Sequence, residues 1–456
     1  MKMRAVLRYD RGTVTIRGNV HVPMARWDER SNCYRALAYR RRDILDFLES
    51  AGAEIEDHTL DGVIPSKDLR DVDLGVELRD YQREAVEAWM RDRRGVIVLP
   101  TGAGKTVVAM EIIRRLSVST LVVVPTLVLL DQWMERLSVF GEVGEFSGRR
   151  KELRQITVTT YDSAYLAAGY LGGKFMLLVF DECHHLPSEA YRNIAQMSIA
   201  PYRLGLTAFP WRSDELHKML PDLIGGIVYE KRVDELSGDY LAPYRVVRIS
   251  IPLTEEEKRE YEKNYGRFRD YVVRRRIQFR SSGDFMKLVM RTGSDPEAFK
   301  ALRSLEKARR IAFNARGKIE KLKELLERHR GEKIIIFTRH NELVYSVSRR
   351  FLIPAITHEI SKEERKEILR KFREGRYTAI VSSQVLDEGL DVPDASVGII
   401  ISGTGSAREF IQRLGRILRP APGKEKAVLY ELVSSGTAEI NVARRRRYVS
   451  SGRKGR

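Results

Sequence analysis

The sequence predicts an α/β protein: two doubly wound parallel-sheet lobes, a small α+β domain ahead of them, and a charged helical segment between them. Three observations lead there. From Leu78 onward, short Val/Ile runs alternate with amphipathic helical spacing, as expected of strands buried on both faces of a parallel sheet. The alternation returns after about residue 315. A chain of 456 residues also exceeds what one hydrophobic core usually holds, roughly 250–300 residues.

The elements follow in order. Ala5–Arg8 and Thr13–Arg17 are β-prone runs around Asp10-Arg11-Gly12, a hairpin signal. Arg42–Ser50 has helical apolar spacing through Ile44, Leu45, Phe47 and Leu48, and Gly52 stops it. Residues 53–75 are acidic and turn-rich and read as a linker. In the first lobe, Gly95–Leu99, Thr120–Val124, Ile156–Thr159 and Phe175–Phe180 are strand candidates. Arg83–Met90, Thr106–Leu116 and Leu127–Leu137 are the helices between them. A charged helical stretch covers about 251–310. The second lobe opens with a helix at Lys318–His329, then strands at Lys333–Thr338, Thr378–Ser382, Val397–Ser402 and Ala427–Leu432.

Charge placement narrows the partner. The net charge of +18 is accounted for by residues 1–52 (+5), 251–310 (+6) and 444–456 (+7). Excess positive charge confined to appendages suits a phosphate backbone, whereas charge for solubility alone would be spread evenly. The two cysteines, Cys33 and Cys183, cannot make a disulfide framework, a four-cysteine zinc site or an iron–sulfur cluster. No apolar run reaches the ~18–20 residues of a membrane span, and charges interrupt the N-terminus before a signal-peptide core could form. The expected location is the cytoplasm, with no membrane partner.

The chemistry is concentrated in two strand ends. Leu99-Pro100-Thr101-Gly102-Ala103-Gly104-Lys105-Thr106 follows a buried strand and opens a helix. Gly102, Ala103 and Gly104 would turn backbone N–H groups toward phosphate, with the helix N-terminus adding positive potential. Lys105 would reach the β/γ-phosphates of ATP and the Thr106 hydroxyl would ligate Mg²⁺. The pattern departs from a strict phosphate loop at Leu99, where a glycine is usual. Asp181-Glu182-Cys183-His184-His185 ends another apolar strand, at the ligand-binding edge of such sheets. Asp181 would hold Mg²⁺ through water and Glu182 would polarise the attacking water; alone, the pair could equally cap a helix. In the second lobe, Gln412, Arg416 and Arg419 recur on one helical face and are candidates for stabilising the transferring phosphoryl group.

Together these residues resemble superfamily 2 DExH helicases, and the whole chain resembles an archaeal-type XPB helicase. The strings that carry the likeness are Leu78-Arg79-Asp80-Tyr81-Gln82, Val124-Pro125-Thr126, Thr159-Thr160-Tyr161-Asp162-Ser163, Ile335–Arg339 and Ser382–Asp391. The resemblance implies RecA-like lobes and a helical thumb. Its domains would be an N-terminal DNA-binding, damage-recognition-like domain at 1–65, a linker at 66–77, lobes at 78–250 and 313–443, a thumb at 251–312 and a basic tail at 444–456. It further implies that Arg79 and Gln82 recognise adenine and that Gly389 and Asp391 line the nucleotide. Thr126, Thr160 and Ser383 would touch the tracked strand.

Arg212 and Asp214 match the ends of the family's duplex-opening Arg-Glu-Asp element, with Ser213 at its centre. The third motif reads Thr207-Ala208-Phe209 where Thr-Ala-Thr is usual. Either strand separation is weakened, or Phe209 and Trp211 simply fill packing space. Arg274, Arg275 and Arg276 among aromatics suit DNA contact, although an ordinary amphipathic face has the same spacing. The Arg444–Arg447 run reads as a disordered phosphate-binding tail.

The expected activity is that of an ATP- and Mg²⁺-dependent DNA helicase or translocase, 3′-to-5′ by the resemblance, acting in repair and in transcription. Double-stranded, forked or bubble DNA and a nuclease are the expected partners, and a monomer the expected state. The alternatives are a restriction-complex motor subunit and an ATP-gated scaffold that opens DNA for a nuclease.

Overall fold

The computed structural model of the chain describes residues 3–212, 214–236, 240, 244–279, 282–383, 395–402 and 427–450. They fall into two compact units, Met1–Arg232 and Val233–Arg456. Among the described residues, no helix is long and apolar enough to cross a membrane.

The first unit begins with a five-stranded sheet built from β1 (Arg4–Asp10), β2 (Thr13–Gly18), β3 (Arg26–Asp28), β4 (Cys33–Leu37) and β5 (Glu54–His58), in the order β3-β4-β2-β1-β5. The hairpin turn places Arg11 and Gly12 at φ 44° and 96°, the two positive values that a twist-matched two-residue turn demands. Helix Arg41–Ser50 buries Ile44 and Leu48 against Leu7, Val14 and Ile16. The linker expectation over 53–75 fails at its start, because β5 pairs in parallel with β1. The helix is the crossover that makes this pairing possible, and the acidic composition of β5 conceals it. Residues 66–77 do not hang free either. Lys67 and Gln155 exchange two hydrogen bonds of 2.9 Å, and Leu69 is buried.

The same unit contains a parallel seven-stranded sheet of β6 (Arg94–Val98), β7 (Thr120–Val124), β8 (Val143–Phe146), β9 (Ile156–Thr160), β10 (Leu177–Asp181), β11 (Tyr202–Thr207) and β12 (Ile227–Glu230). Its order is β12-β6-β11-β10-β7-β9-β8. β7, β9 and β10 are buried along their whole length, as the unbroken Val/Ile/Leu/Thr composition of β7 and β9 and the apolar run Leu177–Phe180 of β10 demand. β8, β11 and β12 carry weaker patterns and escape a reading by apolar runs. The crossing order brings the C-terminal ends of β6, β11 and β10 side by side, although far apart in sequence.

The second unit holds a parallel six-stranded sheet of β13 (Tyr244–Ile251), β14 (Ile334–Phe337), β15 (Ala355–Ile356), β16 (Ala379–Ser382), β17 (Val397–Ile400) and β18 (Ala427–Ser434), in the order β13-β18-β17-β14-β16-β15. A first lobe ending at residue 250 therefore needs correction. β13 pairs with β18 over eight residues, so this strand precedes the helical segment in sequence but belongs to the second sheet. Helices Glu255–Arg274 and Pro296–Phe313 pack through Tyr261, Tyr271, Ala301 and Ala308. Thr254 and Glu257 form a reciprocal capping box at the first helix, and Asp295 caps the second. At the C-terminal end the expected disordered tail is also corrected, since helix Glu439–Ser450 carries Arg444–Arg447.

Candidate functional site

β6 delivers the chain into the turn before helix Lys105–Leu116. Gly102 and Gly104 take φ 87° and 79°, and a Cβ on Gly104 would lie 2.4 Å from Gln82 Nε2. Only glycine fits both demands. Leu99, where a glycine would be usual, is buried and keeps a negative φ, so no glycine is required there. The Thr101 hydroxyl is buried without a hydrogen-bond partner, and Lys105 Nζ reaches the Leu99 and Pro100 carbonyls at 3.2 and 3.4 Å. An orphaned hydroxyl, a helix N-terminus and an ammonium in one loop are the donor set that suits phosphate oxygens.

Gln82 stands behind this loop. Its amide nitrogen donates to the Ala103 carbonyl at 2.9 Å, as does the Tyr81 hydroxyl at 2.8 Å. Its carbonyl oxygen accepts from Arg79 N at 2.9 Å. With only 4% of its surface exposed, Gln82 props the loop from inside. Arg79 donates to the Tyr81 hydroxyl at 3.3 Å. Tyr81, a prop of equal standing, gave no separate signal in the sequence beyond its place between Arg79 and Gln82.

The acidic strand end is more tightly wired than its sequence suggests. Asp181 Oδ2 accepts from Trp133 Nε1 at 2.9 Å, and Oδ1 from Glu182 N at 3.0 Å. Glu182 sits in the left-handed region at φ 47°. Its Oε2 accepts from the Thr207 hydroxyl at 3.3 Å and lies 3.4 Å from His184 Nδ1. Thr207 Oγ1 also meets His184 Nδ1 at 3.1 Å and accepts from Phe209 N at 3.1 Å. Burial and then the Glu182 charge push Asp181 upward. Burial opposes ionisation of Glu182 too, but the His184 hydrogen bond and the Lys105 charge outweigh it and hold that carboxyl down. Two crowded carboxylates beside a threonine suit a magnesium ion, which keeps several waters and takes only one or two protein oxygens. Among the described residues, no cluster of three or more His, Cys, Asp or Glu forms a closed metal cage.

Arg212 extends the wiring. It donates to the His184 carbonyl at 2.7 Å and grips Asp214 with two bonds of 2.9 and 2.6 Å. The hydrogen bonds from Arg212 hold the Asp214 carboxyl down to about 2, so Asp214 is ionised at neutral pH. Phe209 is buried, whereas Trp211 is 45% exposed with its ring edge-on to His217. The packing explanation therefore fits Phe209 and not Trp211. Trp133 and the bridging hydroxyl of Thr207 are functional neighbours that spacing alone could not assign. Both reach the site only through the strand order.

The expected DNA-contact residues are placed less tellingly. Thr126 and Thr160 lie at the C-terminal ends of β7 and β9. Each hydroxyl caps the following helix, accepting from Leu129 N at 3.3 Å and Ser163 N at 3.2 Å. Ser383 follows β16 and is buried. Arg274 and Arg275 are exposed and lie within 3.5–3.9 Å of Asp295 or Glu297, and Arg276 takes φ 50°. Gly389, Asp391, Gln412, Arg416 and Arg419 lie outside the described residues.

Comparison with known proteins places this geometry. Residues 7–59 match the xeroderma pigmentosum group B helicase damage recognition domain, 75–212 the type III restriction enzyme res subunit, and 317–421 the helicase conserved C-terminal domain. The chain is 45% identical to the DNA 3′-5′ translocase XPB2 of Sulfurisphaera tokodaii, over 97% of this chain and 99% of that one. It is 28% identical to the DNA 3′-5′ helicase XPB of Mycobacterium tuberculosis, over 82% of this chain and 63% of the relative. The helicase domain of Pyrococcus furiosus Hef matches in structure with a TM-score of 0.52, covering 82% of this chain and 98% of that one at 23% identity. That likeness speaks for the fold.

Proposed function

The chain belongs to the XPB family of DNA helicases and translocases, and from that premise we propose that it uses ATP hydrolysis to move 3′-to-5′ on DNA. The observation that carries the coupling is the continuous network Glu182–Thr207–His184–Arg212–Asp214. It joins the hydrolytic carboxylate to the element expected to meet duplex. Repair, and transcription alongside it, are the processes such a motor would serve, on forked or bubble DNA and with a nuclease partner.

The residues divide the work. Lys105, Thr101 and the amides of Gly102–Gly104 would bind the phosphates, while Gln82 and Tyr81 hold the loop in shape. Thr106 and Asp181 would hold Mg²⁺, with Trp133 fixing the carboxylate's orientation. When bound, the ion supplies charge neutralisation for the departing phosphate oxygens. Glu182, kept ionised, would accept a proton from the attacking water, and Thr207 and His184 fix its direction. Arg79 would face the base, and Gly389, Asp391, Gln412, Arg416 and Arg419 would complete the nucleotide site from the second lobe. Thr126, Thr160, Ser383 and Arg274–Arg276 would contact DNA.

ATP turnover with and without DNA, measured beside strand displacement on forked, bubble and blunt duplexes, tests the reading. Lys105→Ala should abolish both activities. Full strand opening by that variant would instead favour the ATP-gated scaffold. One feature gives that second reading its footing: Phe209 stands buried where the family carries a hydroxyl, so the third motif keeps only Thr207 to link turnover with movement. Phe209→Thr combined with Ser213→Glu is expected to raise base pairs opened per ATP by several-fold. An unchanged ratio in coupled displacement and phosphate-release assays would show that the substitutions are neutral to coupling.

A further inference from the structure

An open cleft of about 850 Å³ lies between the N-terminal sheet and the first lobe, inside one compact unit. Its floor is Tyr9, whose hydroxyl is near the Gly169 and Met197 carbonyls at 2.9 and 3.0 Å. One wall presents Leu166, 82% exposed, and Tyr170, 56% exposed. The Lys174 ammonium stands 5.6 Å from the Tyr170 ring centre. The opposite wall presents Arg8 and Arg11, both exposed. Among the described residues neither arginine forms an ion pair, whereas the cleft's two acids are engaged, Asp10 by Arg35 at 2.7 Å and Asp61 by His58 at 3.1 Å. The surface left over is cationic and partly apolar.

That chemistry matches an unpaired nucleic-acid strand, whose phosphates want cations and whose bases want aromatic or apolar faces. Position agrees. Thr160 ends β9, and helix Tyr161–Leu166 runs directly from it to the cleft wall. Six helical residues cover only about 9 Å, little more than one nucleotide step. We propose that this cleft binds single-stranded DNA, carrying an unpaired strand from the sheet edge at Thr160 onto the N-terminal domain. Arg8, Arg11 and Lys174 hold its phosphates, and Leu166 with Tyr170 packs against a base. The proposal rests on the reading of Thr160 as a DNA contact.

The test uses the full chain and a fluorescent oligothymidine, with affinity followed across salt. Arg8→Glu/Arg11→Glu/Lys174→Glu should weaken binding at least tenfold and flatten the log K against log salt slope by about 2, at ~0.7 per phosphate contact. Tyr170→Ala should cost about 5- to 160-fold, the range of one lost base stack. ATPase without DNA should stay at the wild-type level in both. Unchanged affinity and slope in both variants would overturn the assignment and turn attention to an acidic protein segment as occupant. DNA stimulation of the wild-type ATPase is read separately. Its absence would sink the motor reading, while a flattened slope would still uphold the cleft.

Discussion

Glu182→Gln is expected to lower DNA-stimulated ATP turnover by about 10²–10⁴-fold, the usual contribution of a positioned general base, with KM for ATP little changed. The amide is nearly isosteric, so the Thr207 hydroxyl can still donate to it and the loop around Lys105 is untouched. What disappears is the ability to take a proton from water. Asp181→Asn should behave differently, raising the Mg²⁺ concentration needed for half-maximal activity, because that carboxylate would orient the ion. Steady-state phosphate release, titrated in ATP and in Mg²⁺, separates the two. A loss below tenfold in Glu182→Gln at saturating ATP and Mg²⁺ would mean that another group activates the water.

The second large effect concerns the stability of the second unit. Lys318 is fully buried in the second unit and donates to Glu439 Oε1 and Oε2 at 2.9 and 2.8 Å and to the Ile401 carbonyl at 2.9 Å. Glu439 Oε2 also accepts from Ser434 N at 2.9 Å. Helix Arg316–Arg328, the end of β17, the end of β18 and the C-terminal helix are thus tied at one point. Lys318→Met strands a buried carboxylate and should cost about 3–5 kcal/mol, seen as a lowered midpoint for the second unit in thermal melts. Lys318→Met/Glu439→Leu should recover much of that loss, since a matched apolar pair of similar volume is often tolerated. It should not recover all of it, because Ser434 N then lacks its acceptor. A single variant that melts with the wild type would show the pair to be energetically idle.

The two predictions differ in how far the sequence foretells them. Glu182 is legible from its place after an apolar strand, with a phosphate loop elsewhere in the chain. The Lys318–Glu439 pair joins residues 121 positions apart, and nothing local to either marks it. A lysine at helical spacing reads as a solvated face until the tertiary structure buries it.

The same division runs through the fold. Val/Ile-rich runs gave β7 its full extent and helix Leu127–Leu137 both its ends, because burial on both faces leaves an unbroken apolar record. β5, with two glutamates and an aspartate in five residues, leaves none. Its pairing with β1 is decided by the crossover helix. β13 likewise sits next to the first lobe in sequence, yet its backbone groups pair with β18, some 180 residues on.

At the candidate site, the local pieces are legible along the chain. Gly102 and Gly104 follow from backbone angles only glycine accepts, and Lys105, Asp181 and Glu182 from strand ends that face a ligand edge. How the pieces are joined emerges from the folded sheet. Gln82, expected to read adenine, turns its amide into the loop. Thr207 bridges Glu182 and His184, Trp133 orients Asp181, and Arg212 closes on Asp214 while holding His184. Those contacts depend on the order β6-β11-β10-β7, in which strands distant along the chain become neighbours. Hydrophobic periodicity records which side chains leave water, but it carries no account of which hydrogen-bonding groups meet after they do.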